Sequence, residues 1–362
     1  MAEVHFVLPQ LTPYYGMEKA ATLLMTALQR EGVDVSATVL SGEVPAAAAA
    51  LPITTLGRPR RLTRLAEAVP ALRRVLCSLP STTRVVASGL WAAAPVGLAL
   101  VGTGRSYVSW EHTVLPARLR LDRRVSTLFR VVWTRYTRPA AVIAVSDAVW
   151  QAVAQRAGAA TDVVVVPNMV DTPGRAPEPR SAPSGPVSLL TTGSLRGHKN
   201  YPCALRALKE LPPTFRLTMA GDGPDLSGLH SLAADLGVAD RVTFLGHVDD
   251  LRPHLETSHA LVHPSLFETF GFSLIEAADH RLPVATLRVA GVDELVPTYV
   301  PGALATAPTP VALADAIRTA VGGIPDDDVR RAWELRRRRF SPDAVCAHWR
   351  AVLDLRDRAD AV

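Results

Sequence analysis

Short apolar runs alternate with helical segments along this chain, and the alternation occurs twice. Six strand-like runs lie in the first half, at 4–8, 33–40, 84–88, 106–110, 141–145 and 163–166. Five more lie in the second half, at 187–192, 215–220, 242–246, 260–263 and 284–287. Strands that alternate with helices form parallel, doubly wound sheets. The pattern therefore predicts an α/β protein with two Rossmann-like domains.

A segment dense in proline, glycine and serine separates the two halves at 171–186. Such a composition is typical of interdomain linkers. We therefore predict an N-terminal domain over 1–170, a linker over 171–186 and a C-terminal domain over 187–340. A final helix is predicted over 342–358, within a C-terminal segment of 341–362.

Composition excludes several classes of protein. The net charge of +5 comes almost wholly from arginine, because lysine occurs only at Lys19, Lys199 and Lys209. Zinc spacings and basic–aromatic signatures are missing from the sequence, so nucleic-acid binding is not predicted. The basic charge is better matched to anionic substrates or to a membrane surface.

Three scattered cysteines, Cys77, Cys203 and Cys346, form neither a disulfide framework nor a metal-binding spacing. A reducing cytoplasm is the expected location. The first residues lack the basic and apolar regions of a signal peptide, and no apolar run is long enough to span a bilayer.

Two carboxylates lie eight positions apart in the segment 264–277. Glu268 is predicted to follow a buried strand, at the carboxyl end where α/β sheets bind ligands. Glu276 is predicted to lie on the next helix, over 272–280. A buried carboxylate needs a partner, and a ribose diol suits it because the diol donates two hydrogen bonds.

A second strand-to-helix turn lies at 193–200, before a helix predicted to begin near Asn200. Backbone amides at such a turn, helped by the helix N-terminus, suit a diphosphate. Lys199 would add a point charge next to it. In the first half, Gly16 lies between the first strand and a helix at 17–30, where a tight turn and a ligand contact are both reasonable interpretations.

The segment 264–277 resembles the glutamate-x7-glutamate signature of retaining glycosyltransferases of family 4, which have the GT-B fold. Further segments resemble motifs of that family in the family's order. They are 15–18, 144–146, 166–171, the phosphate-binding turn 193–200, the second-strand turn 220–224 and the base-binding segment 241–248. The resemblance covers nearly the whole chain. It implies two facing domains with a cleft between them and a C-terminal helix that crosses back to the first domain.

The resemblance also implies an activity and a set of site residues. It implies a front-face transfer from a nucleotide sugar, UDP favoured over GDP. The sequence has no Asp-x-Asp at the end of a predicted strand of the first domain, so a metal-independent transferase without another cofactor is expected. The implied catalytic residues are His112, Lys199 and Glu268, and the implied acceptor-binding residues are Glu111 and His112. The implied donor-binding residues are Gly16, Gly193, Ser194, Arg196, Lys199, Leu245, His247, Phe270, Gly271, Phe272 and Glu276.

The sequence departs from the family pattern at two positions. Ser194 stands where the family usually has an arginine, and Arg196 is the candidate replacement. Tyr15 stands where the family has the first of two glycines. Two alternatives to a transferase stay open. One is another GT-B enzyme, such as a sugar-nucleotide 2-epimerase or a phosphorylase. The other, which the two departures keep open, is a non-catalytic subunit that binds nucleotide sugars.

Each candidate also has a plainer interpretation. Lys199 and Glu276 could be exposed surface residues, Glu268 could cap a helix, and His112 and Glu111 could lie in a loop without substrate contact. The acidic run 326–328 is predicted to cap a helix rather than bind a metal. The sequence offers no carboxylate pair that is convincingly placed for double displacement.

The strongest amphipathic pattern lies at 118–138, where arginines surround an apolar helical stripe. An ordinary helix with a solvated basic face explains it. The alternative is contact with an anionic acceptor or with anionic lipid, which would place a cytoplasmic protein at the inner face of the membrane.

Overall fold

The computed structural model describes residues 3–11, 16–42, 44, 48–57, 65–113, 139–157, 162–170 and 185–354. The chain divides into two compact units, one of Met1–Val170 with Phe340–Val362 and one of Asp171–Arg339. The predicted basic helix at 118–138, Tyr15 and most of the predicted linker lie outside the described residues.

The first unit contains a parallel sheet of seven strands in the order β3-β2-β1-β4-β5-β6-β7. The strands are β1 (Glu3–Leu8), β2 (Asp34–Val39), β3 (Ile53–Thr55), β4 (Arg84–Ser88), β5 (Val108–Glu111), β6 (Ala141–Ala144) and β7 (Asp162–Val165). The six predicted strands are confirmed, with ends shifted by up to two residues. Strand β3 was missed because an edge strand of three residues, two of them exposed, is too short to give an alternating pattern.

Helices of the first unit cover the sheet with apolar faces. They are α1 (Gly16–Arg30), α2 (Leu65–Ser78), α3 (Leu90–Leu100), α4 (Asp147–Ala157) and, from the end of the chain, α11 (Pro342–Asp354). Helix α1 buries Ala20, Ala21, Leu24, Met25 and Leu28, the helical spacing that an amphipathic segment predicts.

Helix α11 packs on the first unit through one large aromatic side chain. The Trp349 ring is 5.0 Å from the Trp110 ring and 6.1 Å from the Phe6 ring, and all three side chains are buried. Arg350, the next residue, forms an ion pair with Glu31, which directly follows α1. The final helix predicted from the sequence therefore packs against the first sheet.

Trp349→Ala is expected to destabilise the first unit by about 3–5 kcal/mol, since truncating a buried tryptophan leaves a cavity. Thermal and denaturant unfolding would measure it. The matched control is Arg350→Ala on the same helix, where loss of a half-exposed ion pair should cost about 1 kcal/mol or less. Equal losses for the two variants would contradict the packing role of Trp349.

The second unit contains a parallel sheet of six strands in the order β10-β9-β8-β11-β12-β13. The strands are β8 (Val187–Thr192), β9 (Phe215–Ala220), β10 (Val242–Gly246), β11 (Ala260–His263), β12 (Val284–Leu287) and β13 (Gly302–Ala305). The five predicted strands have the predicted bounds. Strand β13 was missed because the sequence Gly-Ala-Leu-Ala carries no β-branched or aromatic residue.

The helices of the second unit are α5 (Tyr201–Lys209), α6 (Leu226–Asp235), α7 (Arg252–Thr257), α8 (Phe272–Asp279), α9 (Pro310–Val321) and α10 (Asp326–Phe340). Two ion pairs involve α10. Arg336, a buried guanidinium, lies 3.1 Å from Asp279, and Arg281 lies 2.6 Å from Asp326. The acidic run 326–328 was predicted to cap its helix. It forms the first turn of α10 instead, where carboxylates favour the helix dipole.

Candidate active site

Two predicted motifs meet at the carboxyl edge of the second sheet. A short 3₁₀ helix, Gly197–Lys199, follows β8, and its His198 carbonyl accepts a hydrogen bond from the Leu266 amide at 3.0 Å. The Asn200 side chain donates to the Pro264 carbonyl at 3.1 Å. These contacts join the turn after β8 to the loop after β11, which is the neighbouring strand.

Lys199 and Glu268 form the charged centre of this junction. Their Nζ and Oε2 atoms lie 3.1 Å apart, and the side chains are only 19% and 15% exposed. The other carboxylate oxygen of Glu268 accepts the Thr269 amide at 2.9 Å. Burial opposes ionisation of this carboxyl, but the Lys199 ammonium and the hydrogen bonds from its other partners hold the pKa of Glu268 well below its usual range. Glu268 is therefore ionised at neutral pH.

His263 also contacts Glu268, a contact that the sequence did not predict. Its Nε2 lies 3.3 Å from Oε2 of Glu268, and its side chain is almost fully buried. Burial lowers the pKa of His263, the Lys199 charge lowers it further, and Glu268 opposes both. A signal was available in the sequence, because His263 is the last residue of an otherwise apolar buried strand, where polar residues commonly serve ligands.

Helix α8 begins next to the Glu268 loop without a side-chain cap. Its N-cap residue, Gly271, has a left-handed backbone with φ of 76°, and no side chain in the described part of the chain caps the helix. The interpretation of Glu268 as the helix cap is therefore wrong, since its carboxylate turns to Lys199 and to the Thr269 amide. An uncapped helix N-terminus attracts anions.

Three further predicted donor residues lie on or beside α8. Phe270 is buried, and its ring contacts the Phe272 ring edge-on at 4.9 Å. Glu276 lies one turn into the helix and is partly exposed. It is thus on the helix whose N-terminus follows Glu268.

The turn after β8 has a close-packed backbone. A side chain at Gly221 would place its first carbon 2.0 Å from the Gly193 carbonyl, so only glycine fits there. The predicted contribution of backbone amides to diphosphate binding is wrong for most of this turn, because these amides already bond to backbone carbonyls. They are the amides of Gly193, Leu195, Arg196, Lys199 and Asn200. Ser194 is partly exposed and Arg196 is exposed, so their side chains keep access to solvent.

The loop after β12 covers Glu268 from another side, which the sequence did not predict. A side chain at Gly291, where φ is 85°, would come 2.1 Å from the Glu268 carbonyl. The close approach of these two backbones therefore requires glycine at this position.

The predicted base-binding residues lie at the sheet edge. Leu245 is on the edge strand β10, His247 follows it, and both side chains are exposed. His247 lies 3.1 Å from Asp249. Because β10 is two strands from β8, this segment is about 10 Å along the sheet from the turn that carries Lys199.

Two predicted site residues lie at the end of β5 in the first unit. Glu111 is the last residue of the strand, and His112 follows it. His112 is buried beside Trp110, with Nε2 3.4 Å from the Ser88 hydroxyl, and burial lowers its pKa to about 3. It is therefore neutral at physiological pH. Gly16, the other predicted residue of this unit, is the first residue of α1.

Glu111 was predicted to follow the strand and either to contact the acceptor substrate or to lie at the surface. The structure corrects this, because Glu111 ends β5 and is fully buried. It accepts a hydrogen bond from Ser109 at 2.6 Å, and burial raises its pKa to about 7. Since no part of its side chain reaches solvent, direct contact with an acceptor has no support.

The described residues offer neither a metal cluster nor a membrane-spanning helix. Within them, no three histidine, cysteine, aspartate or glutamate side chains cluster in a way that would hold a metal ion. None of the helices in the described part of the chain has the length and apolar character needed to cross a membrane.

Comparison with known proteins identifies the family. Residues 14–173 match the family profile described as Glycosyltransferase Family 4, and residues 175–331 match Glycosyl transferases group 1. The chain is 30% identical over 298 residues to 2-deoxystreptamine glucosyltransferase of Streptomyces kanamyceticus, a match that covers 74% of this chain and 73% of that protein. The chain belongs to the group 1 glycosyl transferases. The expected hexosyltransferase class is confirmed at the level of this family.

Other relatives of the group 1 glycosyl transferases match shorter regions. The gpi3 subunit of phosphatidylinositol N-acetylglucosaminyltransferase from Schizosaccharomyces pombe is 31% identical over 142 residues. That match covers 38% of this chain and only 31% of the yeast protein. Among solved structures, HepE of Anabaena in complex with UDP and glucose matches with a TM-score of 0.80 at 19% identity, over 98% of this chain and 100% of HepE. The predicted GT-B fold is thereby confirmed.

Proposed function

We propose that this chain is a retaining glycosyltransferase that moves a sugar from a nucleoside diphosphate sugar, UDP-sugar favoured, to an acceptor hydroxyl without a metal ion. The observation that carries the proposal is the Lys199–Glu268 pair, held beside the uncapped start of α8. A largely buried cation and a helix N-terminus together suit a diphosphate. Glu268 and Glu276 supply carboxylates for sugar and ribose hydroxyls.

The proposed chemistry is a front-face displacement. The acceptor oxygen bonds to the anomeric carbon on the face from which the diphosphate leaves, and the bonding electron pair goes to the departing phosphate oxygen. That phosphate takes the acceptor proton. Because negative charge grows on the phosphate in the transition state, Lys199 and the α8 dipole are the main catalytic contribution. His112 of the first unit is also proposed as a residue that contacts substrate, and its neutral imidazole can donate and accept a hydrogen bond.

The donor and acceptor classes are supported by relatives. HepE of Anabaena has also been solved in complex with UDP-glucose, which favours a UDP-sugar. The relative that matches three quarters of this chain is named as a glucosyltransferase acting on 2-deoxystreptamine, which favours a small polyhydroxylated acceptor. Lipopolysaccharide core glycosyltransferase LpsE of Rhizobium meliloti, 31% identical over 151 residues, represents the alternative of a lipid-linked acceptor.

One experiment tests the proposal as a whole. A thermal-shift screen over UDP-, GDP-, ADP- and TDP-sugars should show stabilisation by a UDP-sugar, because a ligand of the native state raises apparent stability. The stabilising donor is then incubated with 2-deoxystreptamine and with vesicles that carry a glycolipid acceptor. Transfer with retained anomeric configuration supports the proposal. Epimerised free nucleotide sugar, or donor binding without transfer, would contradict it.

Activity in excess EDTA is expected to equal activity with added magnesium. The reason is that Lys199 and the helix dipole are proposed to stabilise the leaving phosphate, which is the role that a metal has in other transferases. Initial rates at saturating donor, with and without chelator, measure it. Loss of activity in EDTA that magnesium or manganese restores would refute metal independence.

A further inference from the structure

His263 has no role in the proposed front-face displacement, although it contacts Glu268. It ends β11, its side chain is 4% exposed, and its Nε2 lies 3.3 Å from the same Glu268 oxygen that Lys199 contacts. The Glu268 carboxylate therefore has two nitrogen partners, the Lys199 ammonium and the His263 imidazole, and imidazole is the side chain whose ordinary pKa lies nearest neutral pH.

Both ring nitrogens of His263 face oxygen atoms that can accept a hydrogen bond. Nε2 faces the carboxylate of Glu268 and the Ser265 hydroxyl at 3.2 Å. Nδ1 lies 3.4 Å from the Thr286 hydroxyl oxygen. That hydroxyl has a shorter contact of 2.8 Å to the His263 carbonyl, to which it donates its one proton. Its lone pairs are then available to Nδ1–H, so the pocket accommodates an imidazolium as well as a neutral ring.

Two charged side chains act on the imidazole. Lys199 lowers the pKa of His263 and Glu268 raises it, while burial is the largest influence and also lowers it. The neighbouring Tyr201 hydroxyl donates to the Thr192 carbonyl at 3.0 Å, and burial keeps it neutral by raising its pKa. Departure of Lys199 from Glu268 would therefore remove one of the influences that lower the pKa of His263.

We propose that His263 takes up a proton when the donor diphosphate draws Lys199 away from Glu268. This inference rests on the proposed function, in which Lys199 binds the diphosphate. The donor brings two phosphate charges to an ammonium that is 3.1 Å from Glu268, and charge-assisted contacts to phosphate are strong. Without Lys199, the buried carboxylate needs another cation, and His263 is already in contact.

The proton balance is simple. One proton leaves the buffer and bonds to the free ring nitrogen of His263, and no bond of the donor forms or breaks. The site then holds the Glu268–imidazolium pair and the Lys199–diphosphate pair. His263 is thus a positioning residue, because it keeps Glu268 charged and in place when its first partner moves.

Calorimetry with the full chain tests the proposal directly. UDP-glucose is titrated at pH 7 into protein in buffers of different ionisation enthalpy, and the slope of the observed enthalpy gives the protons taken up. UDP-glucose is the probe because its phosphates lack the ionisation near pH 6 that terminal phosphates have. We expect uptake approaching one proton per donor. Donor affinity should accordingly fall as pH rises, by up to tenfold per pH unit.

Variants assign the proton to His263. His263→Gln keeps an amide donor near Glu268 but cannot titrate, so uptake should disappear while donor binding remains measurable. The matched control is His280→Gln in the same unit, a half-buried histidine 3.8 Å from Glu256, which should keep the uptake. Lys199→Ala should also show no proton uptake when the donor binds. Without the lysine, a protonated His263 should already pair with Glu268 in the free protein.

A spectroscopic measurement covers the case of a variant that does not fold. In wild-type protein with ¹³C-labelled histidine, one imidazole should change to the imidazolium shift when UDP-glucose is added. Donor binding without proton uptake, or uptake that persists in His263→Gln, would overturn this inference and leave the proposed function standing. A complete lack of donor binding would overturn both.

Discussion

Glu276→Ala is expected to weaken binding of the nucleotide sugar by about 100-fold or more, because two charge-assisted hydrogen bonds at about 1.5–3 kcal/mol each would be lost. The side chain lies one turn into α8 and is partly exposed, so its truncation should leave the unfolding temperature nearly unchanged. Calorimetry with UDP-glucose measures the dissociation constant.

Its control is Glu256→Ala, an exposed glutamate on α7 of the same unit. That variant should bind the donor as the wild type does. A dissociation constant of Glu276→Ala within twofold of wild type would remove Glu276 from the ribose site.

Lys199→Ala is expected to lower turnover by about 10²–10³-fold, the usual effect of removing one donor to a developing negative charge. Donor affinity should fall much less, because the phosphate charge grows only in the transition state. Steady-state kinetics give kcat, and calorimetry gives the donor dissociation constant separately. Lys209→Ala, which removes an exposed lysine at the end of α5, is the matched control.

A variant that loses affinity while keeping its turnover would make Lys199 a plain binding residue. Lys199→Arg adds a second discrimination. Arginine keeps the charge but not the compact ammonium that reaches Glu268 at 3.1 Å, so partial recovery of turnover is expected. Full inactivity of this variant with normal donor binding would indicate that the position of the charge decides the rate.

Much of the fold could be predicted from local sequence patterns. Apolar runs of four to eight residues predicted eleven strands, because buried parallel strands have side chains in the core on both faces. The two missed strands, β3 and β13, lie at sheet edges. A short edge strand buries little, so its residues carry little signal.

The site could be predicted from the sequence less completely than the fold. The sequence placed Lys199 and Glu268 at the ends of strands, and parallel strands bring their carboxyl ends to one edge. It did not predict the third partner, His263, because a polar residue at the end of a strand does not reveal what it contacts. It also missed Gly291, whose requirement comes from a backbone approach between distant loops.

Local patterns in the sequence were sufficient to predict the family, the two Rossmann-like units and the bounds of five of the six strands of the second sheet. They also predicted the strand ends that precede Lys199 and Glu268 and the helix that carries Glu276. These are properties of local periodicity and of motif order, which a chain encodes over a few tens of residues. The three-dimensional structure was needed to show that Lys199 and Glu268 form a 3.1 Å ion pair with His263 beside it, and that Glu111 is buried. Such contacts and burial depend on how distant segments pack, and hydrogen bonding and desolvation act over a few ångströms of space rather than along the sequence.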